Sequence, residues 1–131
     1  MIIDIPQLRA GADLSANQFR AVKMDTGNDN KVVAITANTD RPIGIQLDDP
    51  NADGDPIEVA GPGSVCKAKY GGTVVRGDVL GVQSDGDLET ETAVVDGSAV
   101  DRYTIAIALE SGASGEIHPV LVTSPLLIAK A

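Results

Sequence analysis

Few groupings in this 131-residue sequence are of the kinds that do chemistry. The densest acidic run is Asp48–Asp49–Pro50–Asn51–Ala52–Asp53–Gly54–Asp55. Within it, Asp49, Asn51, Asp53 and Gly54 reproduce the first half of a calcium loop, where oxygens at alternate positions converge on a hard cation across a tight turn. The second half is missing. The twelfth position counted from Asp49 is Ala60, where a bidentate Glu is required, and Glu58 stands two residues short. A solvated acidic turn accounts for the run. Cys66 is the sole thiol and His118 the sole imidazole. A nucleophilic Cys needs a base beside it and a depressed pKa, whereas Cys66, between Val65 and Lys67 in an expected strand, reads as a small buried hydrophobe. One Cys makes no internal disulfide, and one His makes no histidine metal cluster. Glu89 and Glu91 alternate onto one strand face after Asp87 and read as a charged edge that discourages stray pairing. Gly71–Gly72 and Gly77 frame a short apolar run without the helix N-terminus or the Lys and Ser of a phosphate cradle. Arg76–Gly77–Asp78 spells an adhesion tripeptide and reads as a turn. The residues therefore nominate no catalytic, cofactor-binding or metal-ligating group, and the expectation is a protein that is not an enzyme and carries no cofactor.

Charge narrows the partners. Ten Lys and Arg against nineteen Asp and Glu leave a formal charge of −9. Nucleic-acid binding needs a basic face to displace counterions, and anionic lipid attracts basic segments, so neither nucleic acid nor membrane is expected. The aromatics are Phe19, Tyr70 and Tyr103, with no Trp, which leaves no base-stacking platform. No apolar run approaches the ~18–20 residues of a membrane helix. The opening MIIDIPQL has no basic leader region, which reads as a soluble, intracellular chain rather than a signal peptide.

The elements must come from short strands. Fourteen Gly and seven Pro fall at short intervals, and the apolar residues alternate or run briefly, rich in Val and Ile. Strands are expected at 19–23, 31–36, 43–47, 57–60, 65–70, 73–75, 79–82, 103–109 and 116–122. Gly27, Gly54, Gly86, Gly97 and Gly115 sit in polar turn clusters, where glycine accepts positive φ. Asp85–Gly86 is the best two-residue hairpin candidate. Asp13–Gln18 has room for one helical turn. The expected fold is all-β, a small β-barrel or β-sandwich (β-tulip-like) with extended N- and C-terminal arms. The boundaries are an N-terminal arm at 1–11, a single β domain at 12–124 and a C-terminal tail at 125–131. Ile2, Ile3, Ile5 and Leu8 make one end apolar, and Leu126, Leu127 and Ile128 the other. Each large side chain left wet forgoes roughly 1.5–3 kcal/mol. These seven are therefore the candidate contacts to a sister subunit or another protein, with packing inside one monomer as the plainer account.

The order of pieces resembles a known family. Leu14–Ser15–Ala16–Asn17–Gln18–Phe19–Arg20–Ala21–Val22–Lys23 leads, followed by Val33–Ala34 and Thr39–Asp40–Arg41–Pro42–Ile43–Gly44–Ile45. Then come Asp53–Gly54–Asp55 with Ile57–Glu58–Val59–Ala60, and Gly63. Gly71–Gly72–Thr73–Val74, Gly77–Asp78–Val79–Leu80, Asp85–Gly86, Ala106–Ile107–Ala108–Leu109 and Gly115–Glu116 complete the series. Over about residues 12–122 this is similar to the tailed-phage capsid decoration (cement, head-stabilising) proteins. The resemblance implies a structural virion protein on the capsid exterior, found in the host cytoplasm before assembly. Its partners would be the major capsid protein and itself, as homotrimers at three-fold and quasi-three-fold sites. It implies no catalytic residue. The other readings of the residues are a tail or baseplate β protein, and a carrier-type β module suggested by VVRGDVLGV. The carrier reading lacks a modifiable Lys at its tip, Ser84–Asp85–Gly86–Asp87.

Overall fold

The computed structural model describes residues 1–91 and 102–128, with Leu127 and Ile128 described by their backbone alone; the turn expected at Gly97 lies outside them. The described chain is all-β. Ten strands run β1 (Arg9–Ala10), β2 (Ala21–Met24), β3 (Lys31–Ala34), β4 (Gly44–Gln46), β5 (Val59–Ala60), β6 (Val65–Lys69), β7 (Val79–Val82), β8 (Leu88–Thr90), β9 (Arg102–Ala108) and β10 (Ile117–Ile128). They form two five-stranded sheets. Sheet A has the order β1-β3-β2-β4-β5 and sheet B the order β6-β10-β9-β7-β8. Among the described strands β1 and β3 pair in parallel and the other ladders are antiparallel; the isolated bridge of Tyr70 to Leu88 is parallel too.

Alternation decides which face each residue covers. In sheet A, Ala21, Ile45 and Ala60 stand opposite one another and join the main core. The reverse face carries Val22, Val32 and Val59, and the chain covers it with Leu8, Ala10, Leu14 and Ile57. In sheet B, the inner rows Leu80–Ala106–Val122 and Cys66–Val120–Ala108 fill the main core. Tyr70 and Leu88 bridge β6 to β8, and Gly71 N donates to Leu88 O at 2.8 Å. The two edges of sheet B thus meet at one end and the sheet curls, convex side outward.

Eight of the nine expected strands form, most with trimmed ends and the last prolonged to Ile128, while β1 and β8 are strands beyond those expected. Thr73–Val75 forms no strand; Val74 makes an isolated bridge to Gly112. Leu14–Arg20 is a pair of turns rather than a helical turn, because Asp13 Oδ1 accepts from Ser15 N and Oγ and thereby closes an Asx turn. The β7–β8 hairpin has a three-residue tip, Ser84–Asp85–Gly86, instead of a two-residue one. Gln83 N donates to Asp87 O, and Gly86 follows the turn at φ +90. Gly86 O then accepts from Ala21 N at 3.0 Å, and Arg20 Nε pairs with Asp87 at 2.8 Å, so the tip is docked on β2.

Neither chain end is free of the body over the described residues. Val59 O accepts from Ile5 N, Ile3 O from Gly61 N and Met1 O from Val65 N, so residues 1–5 run antiparallel along 59–65. The tail expected from residue 125 is still strand to Ile128, paired with β9 beyond a register shift between Val122 and Leu126.

One buried polar side chain organises the entry to sheet A. Gln46 is fully buried on β4. Its Oε1 accepts from Asn17 Nδ2 at 3.0 Å, and its Nε2 donates to Leu14 O at 2.8 Å and Asp48 O at 2.7 Å. That one amide ties the turn before β2 to the loop after β4. Replacing it leaves buried carbonyls without donors, a loss of about 1–3 kcal/mol for each unsatisfied group. Gln46→Leu is expected to destabilise the fold by about 2–4 kcal/mol, read as a lowered urea midpoint at unchanged slope. A midpoint equal to wild type would show that the amide carries no net stability.

Candidate interaction surface

The residues that sequence reasoning weighed for chemistry are engaged in structure. Asp48 caps Glu58 N at 3.1 Å, and Asp53 pairs with Lys31 at 2.8 Å. Gly54 O accepts from Arg9 Nη1. Ala60, at the position a calcium loop gives to its Glu, is buried on β5. Cys66 is buried, and burial pushes its thiol up to about 11. Glu89 stands on β8, an edge strand as expected, and Glu91 follows its end; both pair with Arg102, at 2.9 and 3.0 Å. Gly77, in the adhesion-like tripeptide, has φ +90 in a turn where Asp78 N donates to Val75 O.

The polar cluster that sequence reasoning missed surrounds His118. Its Nδ1 lies 2.8 Å from Glu110 and its Nε2 3.3 Å from Glu116, while the ring stacks on Tyr70 with centroids 5.2 Å apart. Tyr70 Oη donates to Glu110 O at 2.8 Å. Gly112 leaves the imidazole its space, since a Cβ there would collide with the ring. The hydrogen bond to Glu110, then that to Glu116, raises the imidazole pKa above its ordinary value. The signal was present in the Glu110, Glu116 and His118 spacing, but the Tyr70 partner arrives from β6 and is invisible along the chain. This cluster clamps the loop between β9 and β10 to the end of β6.

The seven expected contact residues separate into three groups. Leu8 is buried in the second core cluster, and Ile5 packs against it, so these two hold the opening segment to its own body. Ile2 and Ile3 are exposed, beside Met1. Leu126 is 64% exposed, the largest exposure among the large hydrophobics of the described residues after Met1. Leu127 and Ile128 lie on β10, and their side chains fall outside the described residues.

The exposed apolar residues concentrate on the outer face of sheet B. Val65, Leu121, Ile107 and Val79 stand directly opposite one another on β6, β10, β9 and β7, a row across four strands. Ile117 and Pro119 extend it along β10, and Leu109 follows β9. Leu126, opposite Thr104, belongs to the same sheet further along β10. Among the described residues no ion pair engages Lys67 or Lys69, which flank the row on β6.

No protein-family model matches the chain, and no curated protein does. A solved structure does. It is the head fiber gp8.5 N base in bacteriophage phi29, superposing with a TM-score of 0.64 at 18% sequence identity, over 96% of this chain and 98% of that one. At that identity the likeness is one of fold, and it extends nearly end to end on both chains.

Two outcomes follow from the titrating groups. Cys66 is expected to resist a thiol reagent at about pH 8 in the folded protein and to react fully in urea; labelling of the native chain at the unfolded rate would mean the site is open. His118 binds its proton more tightly folded than unfolded. Its stabilisation is therefore complete below about pH 6.5 and is lost as pH rises through the raised folded value. The melting temperature should fall from about pH 5.5 to about pH 8.5, and His118→Gln should flatten that slope. A slope unchanged in the variant would remove the cluster from the pH response.

Proposed function

We propose that this chain is a structural protein of a tailed-phage virion, seated on the capsid exterior, where it bridges and stabilises major capsid protein subunits. It would act as a homotrimer at three-fold and quasi-three-fold sites. The observation that carries the reading is the end-to-end fold likeness to the base of a phage head fiber. It coincides with a sequence resemblance, found independently, to capsid decoration proteins. The fold supports the reading in physical terms. A small all-β body packed on thin side chains, with exposed apolar residues gathered on one convex face, is suited to covering another surface. Each copy can hold weakly, because an oligomer engages several capsid subunits at once and the effective concentration multiplies affinity. The strong negative charge keeps free copies soluble before assembly and opposes adhesion to packaged DNA.

The docked hairpin tip disfavours the carrier reading. A carrier presents a Lys on a projecting turn, whereas Gly86 and Asp87 are buried against β2 and no Lys is present there.

Mixing the purified chain with undecorated heads of the phage that encodes it tests the proposal. Saturable co-sedimentation, with density on the outer surface in electron micrographs, is expected. Leu126→Asp should keep the fold and reduce shell occupancy about tenfold or more, the loss typical of a truncated or mischarged contact residue. Heads that sediment without the wild-type chain at any concentration would overturn the reading.

A further inference from the structure

Residues 1–5 form a strap along the edge of sheet A beyond β5. Ile5 N donates to Val59 O at 3.0 Å, Gly61 N to Ile3 O at 2.7 Å and Val65 N to Met1 O at 2.8 Å. Asp4 Oδ1 accepts from Val59 N at 3.2 Å. Ser64 is fully buried, and its hydroxyl is partnered by Ile3: Oγ accepts from Ile3 N at 2.8 Å and donates to Ile3 O at 3.2 Å. Glycine shapes the same groove. A Cβ at Gly61 would lie 2.9 Å from Ile5 Cγ1 and 3.3 Å from Ile3 O, and one at Gly63 3.0 Å from Ile3 Cδ1. The edge from Val59 to Val65 thus fits this one segment in backbone register, in hydroxyl partner and in side-chain space. Left bare, it would present unpaired backbone groups to any other strand.

The link from strap to body is short and strained. The body resumes at Leu8, buried in the second core cluster, and at β1, where Ala10 N donates to Asp55 O. Between Ile5 and Leu8 the chain makes a turn with Pro6 second and Gln7 third, both exposed. A turn with proline second and positive φ third suits Gly or Asn at that third place. Gln7 holds it at φ +66, where its Cβ crowds the following carbonyl. Straightening the link returns Gln7 to the extended region, and the fixed φ of Pro6 serves an extended link as well as a turn. A short hinge under strain favours exchange. Every contact of strap with edge is kept, between copies rather than within one, and the strain at Gln7 is relieved. Straightened, the link from Ile5 to Leu8 spans about 10 Å, so donor and receiver must lie side by side.

We propose that the Val59–Val65 edge receives residues 1–5 of a second copy of this chain, so that neighbouring copies exchange straps around a closed ring. The contact supplies a route to the self-association assumed in the functional reading, yet it is made by the chain alone. Its failure leaves capsid binding standing, and a failure to bind heads leaves this contact standing.

Sedimentation equilibrium of the full chain, after incubation in mild urea that lets straps exchange, should show reversible assembly. Two substitutions at the hinge should move it in opposite directions. Gln7→Gly removes the strain of the closed turn and should raise the dissociation midpoint about tenfold. Gln7→Pro forbids positive φ and should lower the midpoint about tenfold or more. Neither residue touches the strap's ladder, and a cooperative urea transition verifies that each variant is folded. A cross-link identifies the contact itself. Asp4 stands opposite Ala60 in an antiparallel bridge, between the Ile5–Val59 and Ile3–Gly61 hydrogen bonds. Such a pair brings its Cα atoms within disulfide range. With Asp4→Cys and Ala60→Cys in one chain that also carries Cys66→Ala, oxidation should give covalent multimers on a non-reducing gel at assembling concentrations. Each single-cysteine variant should not form that ladder. A wild-type chain that stays monomeric at every concentration overturns the proposal. So do hinge variants with the wild-type midpoint, or a double-cysteine chain that closes only within itself. Cysteines that stay reduced and reactive overturn it too, and would hand the strap to an edge on a different protein.

Discussion

Two sheets present four faces, and apolar side chains must cover each face or leave it wet. That accounting governs this molecule. Sheet A is satisfied twice, by the main core on one side and by Leu8, Ala10, Leu14 and Ile57 on the other. Among the described residues, sheet B is satisfied once. The main core is thin, with Ala21, Ala60, Ala68, Ala106 and Ala108 all at its centre, and Tyr70 is its one large ring. Small residues let the sheets approach closely, so many modest contacts replace a few large ones. The remaining hydrophobes, Val65, Ile107, Leu121 and Val79, are spent outside.

Most of the architecture was legible because alternation and turn chemistry are local signals. The runs at Lys31, Ile43, Val65, Val79 and Tyr103 became β3, β4, β6, β7 and β9. Glycines at 54, 86 and 115 do adopt positive φ. The misses were non-local. Arg9–Ala10 is too short to announce a strand, and only its parallel pairing with Lys31–Val32 makes it one. Asp85–Gly86 looked like a two-residue tip, yet the contact of Gly86 O with Ala21 N draws the turn one residue earlier. For Ile5 and Leu8 the sequence left a partner and their own body as equal alternatives, because nothing along the chain says that Val22 and Val32 lie beside them; in the fold they pack over sheet A. The convex row escaped notice for the same reason. Its four members come from four strands, and only register brings them side by side.

Electrostatics in this fold positions parts rather than performing chemistry. Arg20–Asp87 fixes the hairpin tip on β2, Lys23–Asp40 closes the loop after β3, and Arg102 gathers Glu89 and Glu91 over the edge strand. Asp40 also accepts from Thr36 N and Ala37 N, and its carboxyl sits below the usual range because those bonds and Lys23 outweigh the cost of its partial burial. His118 does the corresponding work between Glu110 and Glu116. Arg20–Asp87, Lys23–Asp40 and Arg102 with its two glutamates join separate strands and loops, which stiffens a body that has no helix among its described residues.

The place of β10 has a consequence for the order of assembly. It follows β6 by roughly fifty residues along the chain, yet it lies second in sheet B, between β6 and β9. Sheet A is complete by Ala60 and needs nothing that follows. Sheet B does: β7, β8 and β9 can pair with one another, but β6 stays apart from them along this side until β10 is inserted. Non-local closure of this kind is slow, and it exposes unpaired edges in the interval. A chain cut before Ile117 would leave β6 and β9 as open edges and lack the convex surface.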